Sequence, residues 1–319
     1  MLEIKNKSYV SEFILVGFSV NWIATMTLFI LFLLIYTIIL SGNLLVIILI
    51  WKYKQLHAPM YLFLAVFSFM EILMANVVIP ESLKNFLSLK RNIPAGSCFT
   101  QSFFYFLIGT SDFILLSVMS YDRYVAICNP LHYSTIMTWK RSICLIIASW
   151  LGGLLSISLP TFLKLRLPYC GPNKINHFFC DAVPLVKLAC ADTTHIQLID
   201  FFLFSLVILG SLILVFYTYI CILIVVLRIS STNGRKKAFS TCSSHFFIIS
   251  LSYVSSIFIY VTPTQGKSLE INKLLSIVTT FITPVMSPFI WTLRNQQIRG
   301  VLLSSMKNFK PMVTAQCKW

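Results

Sequence analysis

Seven apolar stretches run through this chain, each about as long as a lipid bilayer is thick: Trp22–Ile50, Met60–Ile79, Phe99–Ile127, Ile143–Leu163, Ile196–Leu227, Phe239–Val261 and Leu274–Leu293. A hydrocarbon core of about 30 Å is crossed by about 20 helical residues. Inside it every backbone N–H and C=O must find a partner within the protein, which restricts a chain of this pattern to a helical bundle. The expected fold is therefore an all-α membrane protein, a seven-helix bundle spanning residues 22–293. Residues 1–21 would form a tail before it and residues 294–319 a tail after it. Composition agrees: 57% of the 319 residues are hydrophobic and 11% charged, too oily for one soluble domain.

The net charge of +15 would in a soluble protein suggest a nucleic-acid partner. Here the basic residues sit in short loops between apolar spans, where they orient the chain against anionic membrane lipid, so no nucleic-acid partner is expected. The segments Trp51–Ala58, Asn129–Ser142, Arg228–Ala238 and the tail from Arg294 hold Lys and Arg but no Asp or Glu. That places them, and the C-terminus, on the cytoplasmic side. The N-terminus then lies outside, where Asn6-Lys7-Ser8 fits a glycosylation acceptor. Residues 1–21 lack the apolar core of a cleavable leader, so the first span would act as its own signal. Cys98, Cys170, Cys180 and Cys190 fall on the outer, oxidising face and allow two bridges in three connectivities. No repeat is visible, which argues against solenoids and against the doubled halves of a transporter. Neither a phosphate loop nor a nucleophile triad stands in a place suited to catalysis, so no enzyme is expected. His177 with Cys180 and Cys190 could imitate a zinc set, but an oxidising face favours disulfides.

At the inner end of the third span the sequence reads Met119 to Tyr133, MSYDRYVAICNPLHY, with the acid–base pair Asp122-Arg123 ahead of Pro130. Charges at that depth must be paired or reach water. Together with Leu56-His57-Ala58-Pro59-Met60-Tyr61, Gly42-Asn43, Lys237 through His245, and Pro288 with Leu293-Arg294-Asn295, this stretch resembles the signatures of the olfactory receptors. These are rhodopsin-type (class A) G-protein-coupled receptors. The resemblance runs from about Glu12 to Arg299 and is similar to the tetrapod-type class II, with the methionine-serine motif form, Glu71 and Arg235-Lys236-Lys237 suggesting its sixth family.

That resemblance implies a set of roles. Cys98 would bridge to Cys180 and Cys170 to Cys190, making the loop from Lys164 to His195 a lid. Arg123 would pair with Asp122 when the receptor is off and meet a G protein when it is on, beside Tyr124 and with Tyr219 and His245 holding it in one state or the other. A short amphipathic helix would follow the seventh span. Glu71 and Asp112 would form a weak Na⁺ or shared-proton site helped by Ser68 and Ser117, the alternative being two neutral carboxyls bonded to backbone; no other cofactor is expected. The family usually has Asn before the helix-seven proline and Tyr three residues after it. Ser287 and Trp291 stand there instead, so an alternative is a chemosensory receptor outside olfaction, or one that couples poorly.

The expected ligand is a small volatile odorant, held by apolar burial and one or two polar anchors in the outer half of the bundle. Candidate lining residues are Tyr105, Phe106, Gly109 and Thr110 on the third helix, Leu203 and Val207 on the fifth, Tyr253, Ser256, Ile257 and Tyr260 on the sixth, and Ile277 and Thr280 on the seventh. None carries a charge, so a neutral, oxygen-bearing ligand is expected. Beyond the odorant, the expected partners are an olfactory-type stimulatory G protein acting through cyclic AMP, membrane lipid and a trafficking chaperone, at the plasma membrane.

Overall fold

The computed structural model describes residues 10–18, 20–88, 90–170, 172–228, 231–261 and 269–305. Asn6 lies outside them. The chain folds as helices α1 (Trp22–Lys52), α2 (Pro59–Leu87), α3 (Ala95–Cys128), short α4 (Tyr133–Ile136), α5 (Trp139–Leu165), short α6 (Ala182–Val186), α7 (Thr194–Arg228), α8 (Thr232–Ser256), α9 (Leu269–Ile277) and α10 (Thr283–Arg294). A π-helical stretch, Ile257–Val261, extends α8, and another, Val278–Ile282, joins α9 to α10. Among the described residues six helices are long and apolar enough to cross a membrane, and His245–Val261 supplies the shorter sixth crossing in chain order. The exposed side chains of α7, among them Phe202, Leu206, Ile213 and Ile220, are the apolar ones that lipid would cover.

Pro80 does not end the second span. Helix α2 continues through it to Leu87, so the outer connection expected from Pro80 to Cys98 is mostly helical. Asn21 starts α1 by accepting the Ala24 N–H at 2.9 Å, a side-chain cap on an otherwise orphaned donor. After Asn295, residues 296–305 are helical and bury Ile298 and Val301 while Arg299 and Gly300 are exposed. This is the amphipathic helix expected beyond the seventh span. Tyr61 on α2 donates to Gln297, and Tyr53 and Ser305 hydrogen-bond at 2.6 Å, which ties this helix to the bundle.

At the outer end, part of the N-terminal segment is built into the structure. Strand β1 (Glu12–Leu15) lies between β2 (Asn92–Pro94), antiparallel with Phe13 opposite Ile93, and β3 (Lys174–Ile175), parallel with Ile14 opposite Lys174. Phe13, Leu15, Ile93, Leu167, Tyr169, Ile175 and Leu185 form a second apolar core around Cys98 and Cys180. The long loop, the N-terminal strand and the head of α3 are thus one cap.

Helix α3 runs through the centre, packed against α2, α5, α7 and α8. Its contact with α5 requires a residue without a side chain. A Cβ at Gly153 would collide with Ser111 Oγ and stand 3.0 Å from the Ser111 backbone nitrogen. Gly153→Ala should cost about 1–3 kcal/mol through overpacking. Thermal unfolding of the detergent-solubilised chain checks this, with Gly96→Ala, where a Cβ meets nothing within 4 Å, as the neutral comparison.

Candidate functional site

The central feature is a cavity of about 70 Å³ between α2, α3, α7, α8 and the π-containing seventh crossing. That is several times the ~10–15 Å³ that one water needs. Six of the sequence-selected residues line it: Tyr105, Phe106, Gly109, Thr110, Ser256 and Tyr260. Leu203 and Val207 do not; Phe204 and Ile208, one position on, take their places. Helix α7 is apolar all round, so its inward face has no polar counterpart to mark its phase. Nor does Tyr253 line the cavity. Its ring packs on Phe113 at 4.9 Å and its hydroxyl donates to Ser211 at 2.8 Å, so Ser252 takes the inward place. Ile257 is half-buried in the main core rather than at the cavity wall. On the seventh crossing Thr279 and Thr283 line the space instead of Ile277 and Thr280. The π turn at Val278–Ile282 adds a residue to the helical repeat and rotates the face that an ideal 3.6-residue period selects.

The cavity reaches further inward than expected, to Phe67, Glu71, Met74 and Asp112. Its lining therefore includes two carboxyl groups, which corrects the expectation of an uncharged pocket. Asp112 Oδ1 and the buried Ser68 Oγ have no hydrogen-bond partner among the described residues, while Ser117 donates to the Ile114 carbonyl at 2.7 Å. Unpartnered oxygens of this kind suit a small hard cation or a shared proton.

The lid packs on the outer side of the cavity wall, with the Phe179 ring 4.4 Å from that of Tyr105. Cys98 is bridged to Cys180 and Cys170 to Cys190. His177 stacks on Phe178 at 4.7 Å. Its burial first, and then the charge of Lys273, push the imidazole down to about 3, so it stays neutral. Lys273 donates to the Gly17 carbonyl and to Asn176, each at 2.8 Å, and pairs with Glu270, which pins the seventh crossing to the lid and N-terminal strand. Asp181 is buried beside the cavity. Its Oδ1 accepts the Val183 N–H at 2.8 Å and its Oδ2 accepts the Tyr260 hydroxyl at 3.1 Å. Burial raises the carboxyl to about 6 against the pull of these bonds and of Lys164, so at neutral pH it remains a carboxylate. Sequence reasoning missed Asp181; its position directly after the bridged Cys180 was the available signal.

At the inner end Asp122 and Arg123 are both buried, but no ion pair joins them among the described residues. Asp122 instead accepts the Tyr133 hydroxyl of α4 at 2.8 Å. Neighbours on a helix point about 100° apart, so the carboxylate faces the inner loop while Arg123 faces elsewhere. Tyr219 and His245 Nδ1 are hydrogen-bonded at 2.8 Å, joining α7 to α8. Tyr124 stacks with Tyr121 at 6.2 Å and packs on Ile222 and Val226 of α7. Trp291 is buried with its ring 6.2 Å from His245 and 6.4 Å from Phe67, and its Nε1 has no partner among the described residues. Ser287 bonds only weakly, to the Pro284 carbonyl at 3.4 Å.

A bundle with this lid, core cavity and inner charge site has the fold of a rhodopsin-like receptor. Squid rhodopsin superposes on it with a TM-score of 0.65 at 18% identity, over 94% of this chain and 89% of that one. A profile described as "Olfactory receptor" matches residues 32–308. Human olfactory receptor 6J1 is 48% identical over 92% of this chain and 84% of its own length, and mouse olfactory receptor 6E1 is 44% identical over 96% and 98%. Human olfactory receptor 6X1 is 43% identical over 95% and 97%. The chain belongs to the olfactory receptor family, a family of multi-pass receptors and not of enzymes.

Removing the bridge between lid and α3 with Cys98→Ser and Cys180→Ser should lower stability by about 2–4 kcal/mol. Thermal melts of the purified double variant against wild type measure it, and an unchanged midpoint would refute the lid's structural role.

Proposed function

We propose that this receptor sits in the plasma membrane with its N-terminus outside, binds a small neutral oxygen-bearing odorant in the cavity, and activates an olfactory-type stimulatory G protein. The supporting observation is the cavity itself, walled by Phe67, Phe106, Phe113, Phe204 and Tyr260. Apolar burial at about 25 cal/mol per Å² supplies most of the affinity there, and a few hydroxyls supply orientation. A volatile ligand offers few atoms, so recognition is weak and broad. Carboxylate ligands are disfavoured by Glu71 and Asp112.

Phe113 passes ligand contact inward by packing on Tyr253, which bridges α3 and α7 through the Phe113 carbonyl and Ser211. Further in, Tyr219, His245 and Trp291 join α7, α8 and α10. Separating α8 from α7 breaks that contact and opens the inner mouth beside Arg123 to a G protein. Glu71 and Asp112, with Ser68, would hold a Na⁺ ion or share one proton, which would leave the floor of the cavity with one negative charge instead of two. Trafficking to the cell surface would use a chaperone.

Two outcomes check the reading in cells carrying a cyclic-AMP reporter and an odorant panel. Arg123→Ala should abolish the response at unchanged surface level. Gly109→Leu, placed where a Cβ has only Met74 nearby at 3.8 Å, should fill the cavity and reduce potency about tenfold or more. In the same assay Phe204→Ala should shift potency and Leu203→Ala should not. Responses equal to wild type in both Arg123→Ala and Gly109→Leu would defeat the proposal.

A further inference from the structure

The described residues that line the cavity include two acids and no base. Glu71 reaches the space from α2 and Asp112 from α3. Glu71 is 4% exposed, and no hydrogen bond or ion pair joins it to another described residue. Asp112 Oδ1 is likewise buried without a partner among the described residues. Neither carboxyl has a basic neighbour to offset it. Lys164 stands behind the Phe106 ring, 5.8 Å from its centroid, and is bound to Asp200 at 2.9 Å. Arg123 is eleven residues further along α3, about 16 Å away along the helix axis. The walls beside the carboxyls are aromatic: Phe67 precedes Glu71 by one turn and Phe113 follows Asp112, and both line the cavity. An aromatic face attracts a cation within about 6 Å of it. Phe106, Phe204 and Tyr260 also line the space, as a cluster with ring centroids 5.1, 5.6 and 5.5 Å apart. The cavity therefore joins an acidic floor to an aromatic compartment.

We infer that this cavity takes a second class of ligand, small primary amines with an alkyl or aryl tail, bound as ammonium ions with the nitrogen at Asp112 and Glu71 and the tail among Phe106, Phe204 and Tyr260. The inference rests on the cavity of the odorant-receptor reading and adds this class to the neutral one. An ammonium carries three N–H donors and no acceptor, the complement of a floor whose carboxyl oxygens lack donors. Its bonds to a carboxylate are about twice as strong as those between neutral groups. A buried ammonium is tolerated only beside an opposite charge, and two carboxyls that share one proton supply one. A carboxyl that holds its proton passes it to an arriving neutral amine: the O–H bond breaks, the N–H bond forms, and the same ion pair results, because the amine nitrogen is by far the stronger base. An alcohol of the same skeleton makes only neutral bonds there, and an acid brings a like charge.

The probes are matched sets: benzylamine, benzyl alcohol and benzoic acid, and cyclohexylmethylamine, cyclohexylmethanol and cyclohexanecarboxylic acid. Binding is read at neutral pH as ligand-dependent thermal stabilisation of the purified full chain, and signalling separately as cyclic AMP in cells. In wild type each amine should bind about tenfold or more tightly than its alcohol, with the acid weakest. The double variant Glu71→Gln with Asp112→Asn keeps the side-chain sizes and removes both acids. Its amine-to-alcohol ratio should fall to about one or below, while the alcohols still stabilise it. Leu116→Lys decides the matter where the double variant fails to fold. Leu116 lines the cavity one turn beyond Asp112, so a tethered ammonium there meets the carboxylate at i, i+4 spacing. The ratio should again fall to about one, and Leu116→Met, of similar size, should keep the wild-type preference. Alcohols matching amines in wild type would overturn the inference and leave the neutral-odorant reading intact. A ratio unmoved in the double variant or in Leu116→Lys, or no stabilisation by either amine, would overturn it too. Selective amine binding with no cyclic-AMP response to any probe would instead defeat the signalling reading and leave the amine site standing.

Discussion

Everything in this molecule follows from placing a polypeptide where no water can satisfy its backbone. The chain answers with helices, and then every polar side chain inside the bundle must find a partner or be tolerated at a cost of kcal/mol. Most serine and threonine hydroxyls resolve this locally by donating to a carbonyl three or four residues back, as Ser120, Ser149, Thr218 and Thr292 do. Among the groups that do not close on their own helix are Glu71, Asp112, Arg123, His245, Tyr260 and Trp291. These are the groups that bound the cavity or cluster at the inner mouth.

The same constraint decides what the sequence could reveal. Span number and type were legible because lipid thickness sets a length that a run of apolar residues either meets or does not. The third helix was legible in phase as well, since it mixes polar and apolar positions: Tyr105, Phe106, Gly109 and Thr110 all reach the cavity. Helix α7 was not, because apolar residues surround it and lipid and core look alike to such a helix. Thr279 and Thr283 were hidden for another reason: a π turn breaks the period on which the reading depended. Asp122 and Arg123 form no ion pair among the described residues; adjacency in sequence separates side chains on a helix, and Tyr133, eleven positions on, is the hydrogen-bond partner of Asp122.

The outer cap shows how long-range closure fixes what the helices alone would leave loose. A strand from the N-terminal segment, a turn before α3 and a segment of the long loop share one three-stranded sheet. The bridge from Cys98 to Cys180 anchors that sheet to the helix that lines the cavity. Gln101, one turn below Cys98, accepts the Cys180 N–H at 2.9 Å and donates to the Val77 carbonyl of α2 at 2.9 Å. Lys273 does the corresponding work for the seventh crossing. The residue after the bridge is Asp181, so the position of its carboxylate over Tyr260 is inherited from covalent and hydrogen-bonded constraints on both sides.

That inheritance explains how a site with so few polar groups can be oriented at all. A hydroxyl on a freely rotating side chain has no fixed sense; it donates or accepts as its visitor requires. A cavity lined only by such groups would accept any small ligand of suitable volume. Here three threonines are committed by their own helices and Tyr260 by a carboxylate that the lid holds. The sense of those hydrogen bonds is therefore settled before a ligand arrives, and no ligand has to bear the cost of setting it. Weak apolar burial supplies affinity without much discrimination, and the preset direction of a few O–H bonds supplies the discrimination that area cannot.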